Sequence, residues 1–167
     1  VKKQKDFIIP FKGLSAGAHE YLFEIDETFF ESFEYFESEK GALDVKLDLI
    51  KESSLLDLHF HLDGNIELSC DRCLGRINYP IEGDFRLVIK FGGIFKEESD
   101  EVLVLPLTES SIDVKQYIFE YINLLLPIKR VHQDEGDCDP IMIEKLQSHE
   151  EKNADPRWDA LKNIKLK

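Results

Sequence analysis

Alternation of apolar and polar residues dominates the middle of the chain. Leu43, Val45, Leu47 and Leu49 alternate with Asp44, Lys46 and Asp48, and Leu56, Leu58, Phe60 and Leu62 alternate with Asp57, His59 and His61. Successive strand side chains point to opposite faces, so each run predicts a strand with one buried face. Lys51-Glu52-Ser53-Ser54 predicts the connection between them, and Asp63-Gly64 predicts a turn into Asn65–Cys70. Residues 7–11, His19–Ile25, Ile77–Tyr79 and Phe85–Phe91 extend the strand pattern. Gly92-Gly93 interrupts it, and Val102–Pro106 predicts an edge strand, because proline donates nothing to a ladder.

Three segments carry helical spacing instead. Phe29, Phe30, Phe33 and Phe36 recur against Glu27, Glu31, Glu34 and Glu37, which predicts a helix over residues 26–37. Asp113, followed three residues later by Gln116, predicts a capping box. It opens a largely buried helix with the stripe Tyr117, Ile118, Tyr121, Ile122 and Leu125, ended by Pro127. Residues 139–151 predict a weaker helix, and Asp155-Pro156 predicts a short terminal one with Trp158, Leu161 and Ile164 on one face. The expected fold is α+β, an antiparallel meander able to curl toward a barrel and packed with a few helices. The domain expectation is a single unit over residues 1–151 and a basic tail over 152–167.

Composition narrows the function classes. The 167 residues are 43% hydrophobic and 33% charged, within the range of globular domains, and the net charge is −13. A field of that sign repels phosphate backbones and suits basic partners such as ribosomal proteins. The charge is uneven: the first twelve residues sum to +3, and Arg157, Lys162, Lys165 and Lys167 outweigh Asp159 near the end. The opening residues hold only a three-residue apolar run before Pro10, too short for a signal peptide, and no stretch is long enough to cross a membrane. Three cysteines do not make a secreted disulfide framework, so a cytoplasmic location is expected.

Unusual chemistry concentrates at Cys70-Asp71-Arg72-Cys73, which holds two of the three cysteines. Two thiols three positions apart form half of a tetrahedral zinc site, and His132 and Cys138, beyond a gap of fifty-eight residues, are candidates for the other half. Four protein ligands leave no open position, so such a zinc would be structural. Two further readings stand beside it. One is a pair of reduced thiols at a strand end, with His132 and Cys138 in a solvated loop. The other is a redox dithiol, whose thiol pKa Arg72 and Arg76 could lower. The acids at 134, 135, 137 and 139 lack calcium-loop spacing, and His59 and His61 are expected to face solvent. Phe85 and Phe91 are expected to pack in the core rather than to stack bases. No nucleophile–base arrangement, phosphate loop or dinucleotide fingerprint occurs.

Separate elements then line up in one order. Cys70-x-Arg72-Cys73 follows a strand, a capped helix ends in Leu124-Leu125-Leu126-Pro127, His132 and Cys138 come next, and the tail reads Asp155-Pro156-Arg157-Trp158-x-x-Leu161-Lys162. Over roughly residues 40–167 this resembles the YceD family, the large ribosomal RNA subunit accumulation proteins. The resemblance implies a non-enzymatic, cytoplasmic ribosome-assembly factor supporting accumulation of large-subunit (23S) rRNA. It implies as partner a large-subunit precursor, through its rRNA or a basic ribosomal protein, and no membrane or small-molecule substrate. Arg72, Arg76, Arg157, Trp158 and Lys162 are the expected partner-binding residues. Many relatives carry several cysteines after the Leu-Pro helix end, whereas this chain keeps only His132 and Cys138. A chaperone for a small basic ribosomal protein and a thiol redox protein are the alternatives.

Overall fold

The computed structural model describes residues 2–4, 6–34 and 40–149. It is α+β and mostly strand, with nine strands and three helices among the described residues. The strands are β1 (Lys2–Gln4), β2 (Ile8–Ile9), β3 (Gly17–Ile25), β4 (Gly41–Lys51), β5 (Leu55–Ser69), β6 (Arg76–Gly92), β7 (Lys96–Ser99), β8 (Val102–Pro106) and β9 (Ile112–Asp113). The helices are α1 (Glu27–Glu31), α2 (Lys115–Leu125) and α3 (Pro140–His149). None is long and apolar enough to cross a membrane. The chain divides into two compact units. One comprises Val1–Leu68 with Asn78–Ile128, and the other Ser69–Ile77 with Lys129–Lys167.

The first unit is built on a seven-stranded sheet of order β1-β3-β4-β5-β6-β8-β7, beside a two-stranded pair of β2 and β9. The alternation read from the sequence sets its register. Leu47 faces Tyr21 and Phe60, and Val45 faces Phe23 and Leu62, so one face is continuously apolar and fully buried. Burying each such side chain is worth about 1.5–3 kcal/mol, and a slip of one residue would turn every one of them to water. The pairs β3/β4 and β4/β5 are antiparallel as expected, but β1 runs parallel to β3 and β8 parallel to β6. The sheet is therefore mixed rather than a pure meander. Its ends lie at β1 and β7, and the described residues form no closed barrel.

Four local expectations give way to the structure. Val102–Pro106 is an interior strand, because β7 pairs on its outer side. Pro106 is tolerated there because β7 accompanies only Val102–Val104. Asp63-Gly64 is not a turn: β5 passes straight through it, with Gly64 opposite Leu43. The Phe-rich helix is a single turn, capped by Asp26, whose carboxylate accepts the Thr28 N–H at 3.0 Å. Its phenylalanines pack on other elements, Phe33 stacking on Phe119 at 3.9 Å between centroids, and residues 35–37 of the expected helix lie outside the described residues. The Asp113 capping box does not close, since Gln116 donates to Glu120 at 2.8 Å. Asp113 instead accepts the Lys115 N–H at 2.9 Å, and α2 is eleven residues long. The terminal helix and tail expected over 152–167 lie outside the described residues.

Candidate metal centre

Among its described residues, the second unit buries little apolar material. Its buried cluster consists of Cys70, Cys73 and Cys138, with Ile77, Val131, Met142 and Ile143 partly buried around them. The local folding of two short segments brings these residues together. In the first, the chain leaves β5 and doubles back within six residues. The Cys70 N–H donates to the Gly75 carbonyl at 2.7 Å, and the Leu74 N–H donates to the Cys70 carbonyl at 2.9 Å. Leu74 takes a left-handed conformation (φ 59°), uncommon for a residue with a Cβ, and this closes the turn. A Cβ on Gly75 would stand 3.2 Å from the Cys73 sulfur and 3.5 Å from His132 Cε1, so the turn fits against the cluster because this position has no side chain.

The second segment is tied to the first by a reciprocal pair. The Asp71 N–H donates to the Arg130 carbonyl at 2.6 Å, and the Arg130 N–H donates to the Asp71 carboxylate at 2.7 Å. Arg72 adds an ion pair to Glu135 at 2.7 Å and a bond to the His132 carbonyl at 3.3 Å. A short 3-10 turn over Glu135–Asp137, capped by Asp134, leads into Cys138. Asp139 then caps α3 through the Ile141 N–H at 2.9 Å, with Pro140 at the first helical position. Asp134 and Asp139 thus work as caps and Glu135 as an ion-pair partner rather than as a calcium cage.

The four candidate ligands, Cys70, Cys73, His132 and Cys138, place one ligand atom each within 4.8 Å of every other. His132 Nε2 lies 3.3 Å from the Arg76 carbonyl, and its Nδ1 lies 3.6 Å from the Cys73 sulfur and 3.5 Å from the Cys138 sulfur. A carbonyl only accepts, so Nε2 carries the proton and Nδ1 turns its lone pair to the thiols. A hydrogen bond from the far ring nitrogen to a carbonyl is how metal-binding histidines are oriented. With Zn–S near 2.3 Å and Zn–N near 2.0–2.1 Å, a tetrahedron separates sulfur from nitrogen by about 3.6 Å. The donor set and its spacing therefore fit a zinc ion, and this cluster could hold one.

The electrostatics point the same way. Burial works to raise the Cys70 thiol, but the backbone groups of Cys73, His132 and Arg72 and the Cys73 side chain more than offset it and hold it down to about 6. Burial, reinforced by Cys73 and Cys70, pushes the Cys138 thiol up to about 11. Sulfurs packed this closely cannot all carry charge side by side, and a divalent cation among them removes the conflict.

A family described as large ribosomal RNA subunit accumulation protein YceD matches residues 58–165, well over half of the chain. The chain belongs to the YceD family. No curated protein and no solved structure matches it. The YceD match spans all four cluster residues, and the family is named for rRNA accumulation rather than for a reaction. Arg76 is exposed, while the Arg72 guanidinium is committed to Glu135 and the His132 carbonyl. Arg157, Trp158 and Lys162 lie outside the described residues.

Other expectations about side chains hold. His59 and His61 sit half exposed beside Asp57 and Asp84, at 3.2 and 2.8 Å. Phe85 stacks on Tyr121 and Phe91 packs on Phe11. Reading ligand types alone missed Asp71, Gly75 and the Arg76 carbonyl, which shape the site. Of these, only the Gly two places after Cys73 carries a sequence signal.

Proposed function

We propose that this YceD protein is a ribosome-assembly factor that supports accumulation of large-subunit rRNA by binding precursor particles rather than by catalysis. In this reading Cys70, Cys73, His132 and Cys138 hold a structural zinc that clips residues 129–149 to the Cys70 turn. The observation that carries the reading is the family match across a span whose chemical cluster is a closed set of four ligands. Four protein ligands leave a zinc no position for substrate. A redox role is less well supported, because the dithiol sits in a turn after a strand and not at a helix N-terminus. Arg76 and the tail residues Arg157, Trp158 and Lys162 are the proposed contacts on a particle in the cytoplasm, with Arg72 holding the loop beside them through Glu135, residues 1–151 as the body and 152–167 as a basic arm.

The test is sedimentation of the tagged chain in a low-salt lysate of its host, with zinc content measured on the purified protein. Co-migration with free large subunits or their precursors, and one zinc per chain lost in Cys138→Ser, is the expected result. A protein found only at the top of the gradient overturns the assembly reading, and a metal-free chain with reduced thiols overturns the clip. The net charge of −13 favours a second reading, a chaperone for one small basic ribosomal protein, which predicts a stoichiometric complex free of RNA.

A further inference from the structure

The first unit carries a cleft of about 1630 Å³ between α2, the Glu97–Leu103 segment and the strands β5 and β6. Small-molecule sites occupy about 300–1,000 Å³, so this one is sized for a polypeptide segment. It opens where β8 stops accompanying β6, since the two pair only from Val88 to Gly92. Its lining is strongly acidic. Glu97, Asp100, Glu101, Asp113 and Glu120 all line it, and among the described residues none of these five is ion-paired. Among the described residues Arg86 is the one lysine or arginine in the wall, and its guanidinium is already held by Asp57 through two bonds of 2.8 Å.

A second observation, independent of charge, marks the same place. Tyr121 lines the cleft, is 7% exposed, stacks on Phe85 at 4.3 Å and meets Phe60 edge-on. Its hydroxyl is buried and has no hydrogen-bond partner among the described residues. Burial, with Tyr117, Glu120 and Glu101 adding to it, pushes the hydroxyl's pKa up, so it remains a protonated donor seeking an acceptor. An acidic wall selects cations, and the phenol requires an acceptor. An arginine-rich polypeptide offers both, with guanidinium groups for the carboxylates and aromatic faces and a backbone carbonyl for Tyr121. A polyamine lacks the acceptor, and a nucleic acid brings phosphates to a wall that repels them.

We propose that the cleft beside α2 docks an arginine-rich segment of a basic protein, with Glu97, Asp100, Glu101 and Glu120 taking its cations and Tyr121 its backbone. The inference rests on the assembly-factor reading for its setting and names the class of partner.

The test measures fluorescence anisotropy of a labelled arginine-rich peptide on the full chain, with its citrulline counterpart as a neutral control and a single-stranded RNA of equal length as competitor. The triple variant Glu97→Gln/Asp100→Asn/Glu101→Gln is expected to weaken peptide binding about tenfold, from three carboxylate contacts of ordinary surface strength. The triple variant Glu27→Gln/Glu31→Gln/Glu52→Gln, with the same charge change outside the cleft, is expected to weaken it far less. Tyr121→Phe is expected to lose several-fold with the fold intact. Equal losses in the two triple variants, tighter binding of the RNA, or an unchanged Tyr121→Phe overturns the proposal. Failure here, in a wild-type protein that still co-sediments with large subunits, removes the docking site and leaves the assembly reading standing; failure to co-sediment removes that reading on its own.

Discussion

Gly64 offers the sharpest quantitative test of the fold, because what surrounds it is backbone. A Cβ at this position would lie 2.3 Å from the Ala42 carbonyl oxygen and 2.6 Å from Leu43 Cα, and the residue's φ is 155°. Restoring ordinary contact would move β4 and β5 apart by about 1 Å, which stretches N–H···O bonds of about 2.9 Å beyond their useful range. Losing two or three ladder bonds at about 1 kcal/mol each, with about 1–2 kcal/mol of backbone strain, predicts that Gly64→Ala costs about 3–5 kcal/mol. Two other glycines calibrate this figure. At Gly83 the intruding atoms are Leu125 methyls, 2.6 and 3.0 Å away, which can rotate aside, so Gly83→Ala costs about 1–2 kcal/mol. At Gly13 none of the described residues lies within 4 Å, and the change stays within about 0.5 kcal/mol. Urea unfolding followed by circular dichroism reads the series. With a slope of about 2 kcal/mol per molar, Gly64→Ala lowers the midpoint by roughly 2 M, Gly83→Ala by under about 1 M and Gly13→Ala by almost nothing. A Gly64→Ala midpoint at or above that of Gly83→Ala would refute the reasoning, since backbone would then have yielded more easily than a side chain.

Chelation of the purified chain is expected to abolish amide protection in residues 69–77 and 129–149 while β3 and β4 keep theirs, because the described residues of the second unit fully bury only three thiols; hydrogen exchange with and without chelator reads it, and unchanged protection contradicts a metal clip. Leu58→Ala, at a fully buried position, is expected to cost about 2–5 kcal/mol in chemical denaturation, and a loss under about 1 kcal/mol would mean that the sheet face is not the core. The Arg86 guanidinium, working against burial and assisted by His59, holds the Asp57 carboxyl below its ordinary value. Its stabilising contribution is therefore fully present above the ordinary carboxylate range and is lost as pH falls through the depressed folded value. Asp57→Asn is expected to flatten that part of the acid-unfolding curve, and a curve of unchanged shape contradicts the assignment.

What was legible in the chain follows from what periodicity encodes. Alternation at 43–49 and 56–62 says which side chains share a face, and Leu47 does meet Phe60. It is silent about neighbours, so the insertion of β8 between β6 and β7 and the parallel course of β1 could not be read from it. Gly64 misled because a glycine that admits a neighbouring backbone and one that turns a chain look alike in sequence. The ligand types of the cluster were legible from their rarity. The Asp71–Arg130 pairing that joins the segments was not, because three of its four groups are backbone common to every residue and the fourth is one carboxylate in a chain rich in acids.

The four clustered residues also set an order of events during synthesis. Cys70 and Cys73 leave the ribosome as an incomplete pair, and fifty-eight residues must follow before His132 appears. At about 5–20 residues per second, that interval lasts roughly 3–12 s. All of β6, β7, β8, β9 and α2 are made within it. The thiols therefore wait through the emergence of nearly half the sheet, and the last ligand, Cys138, arrives as a late latch on a chain whose other parts have already had time to fold.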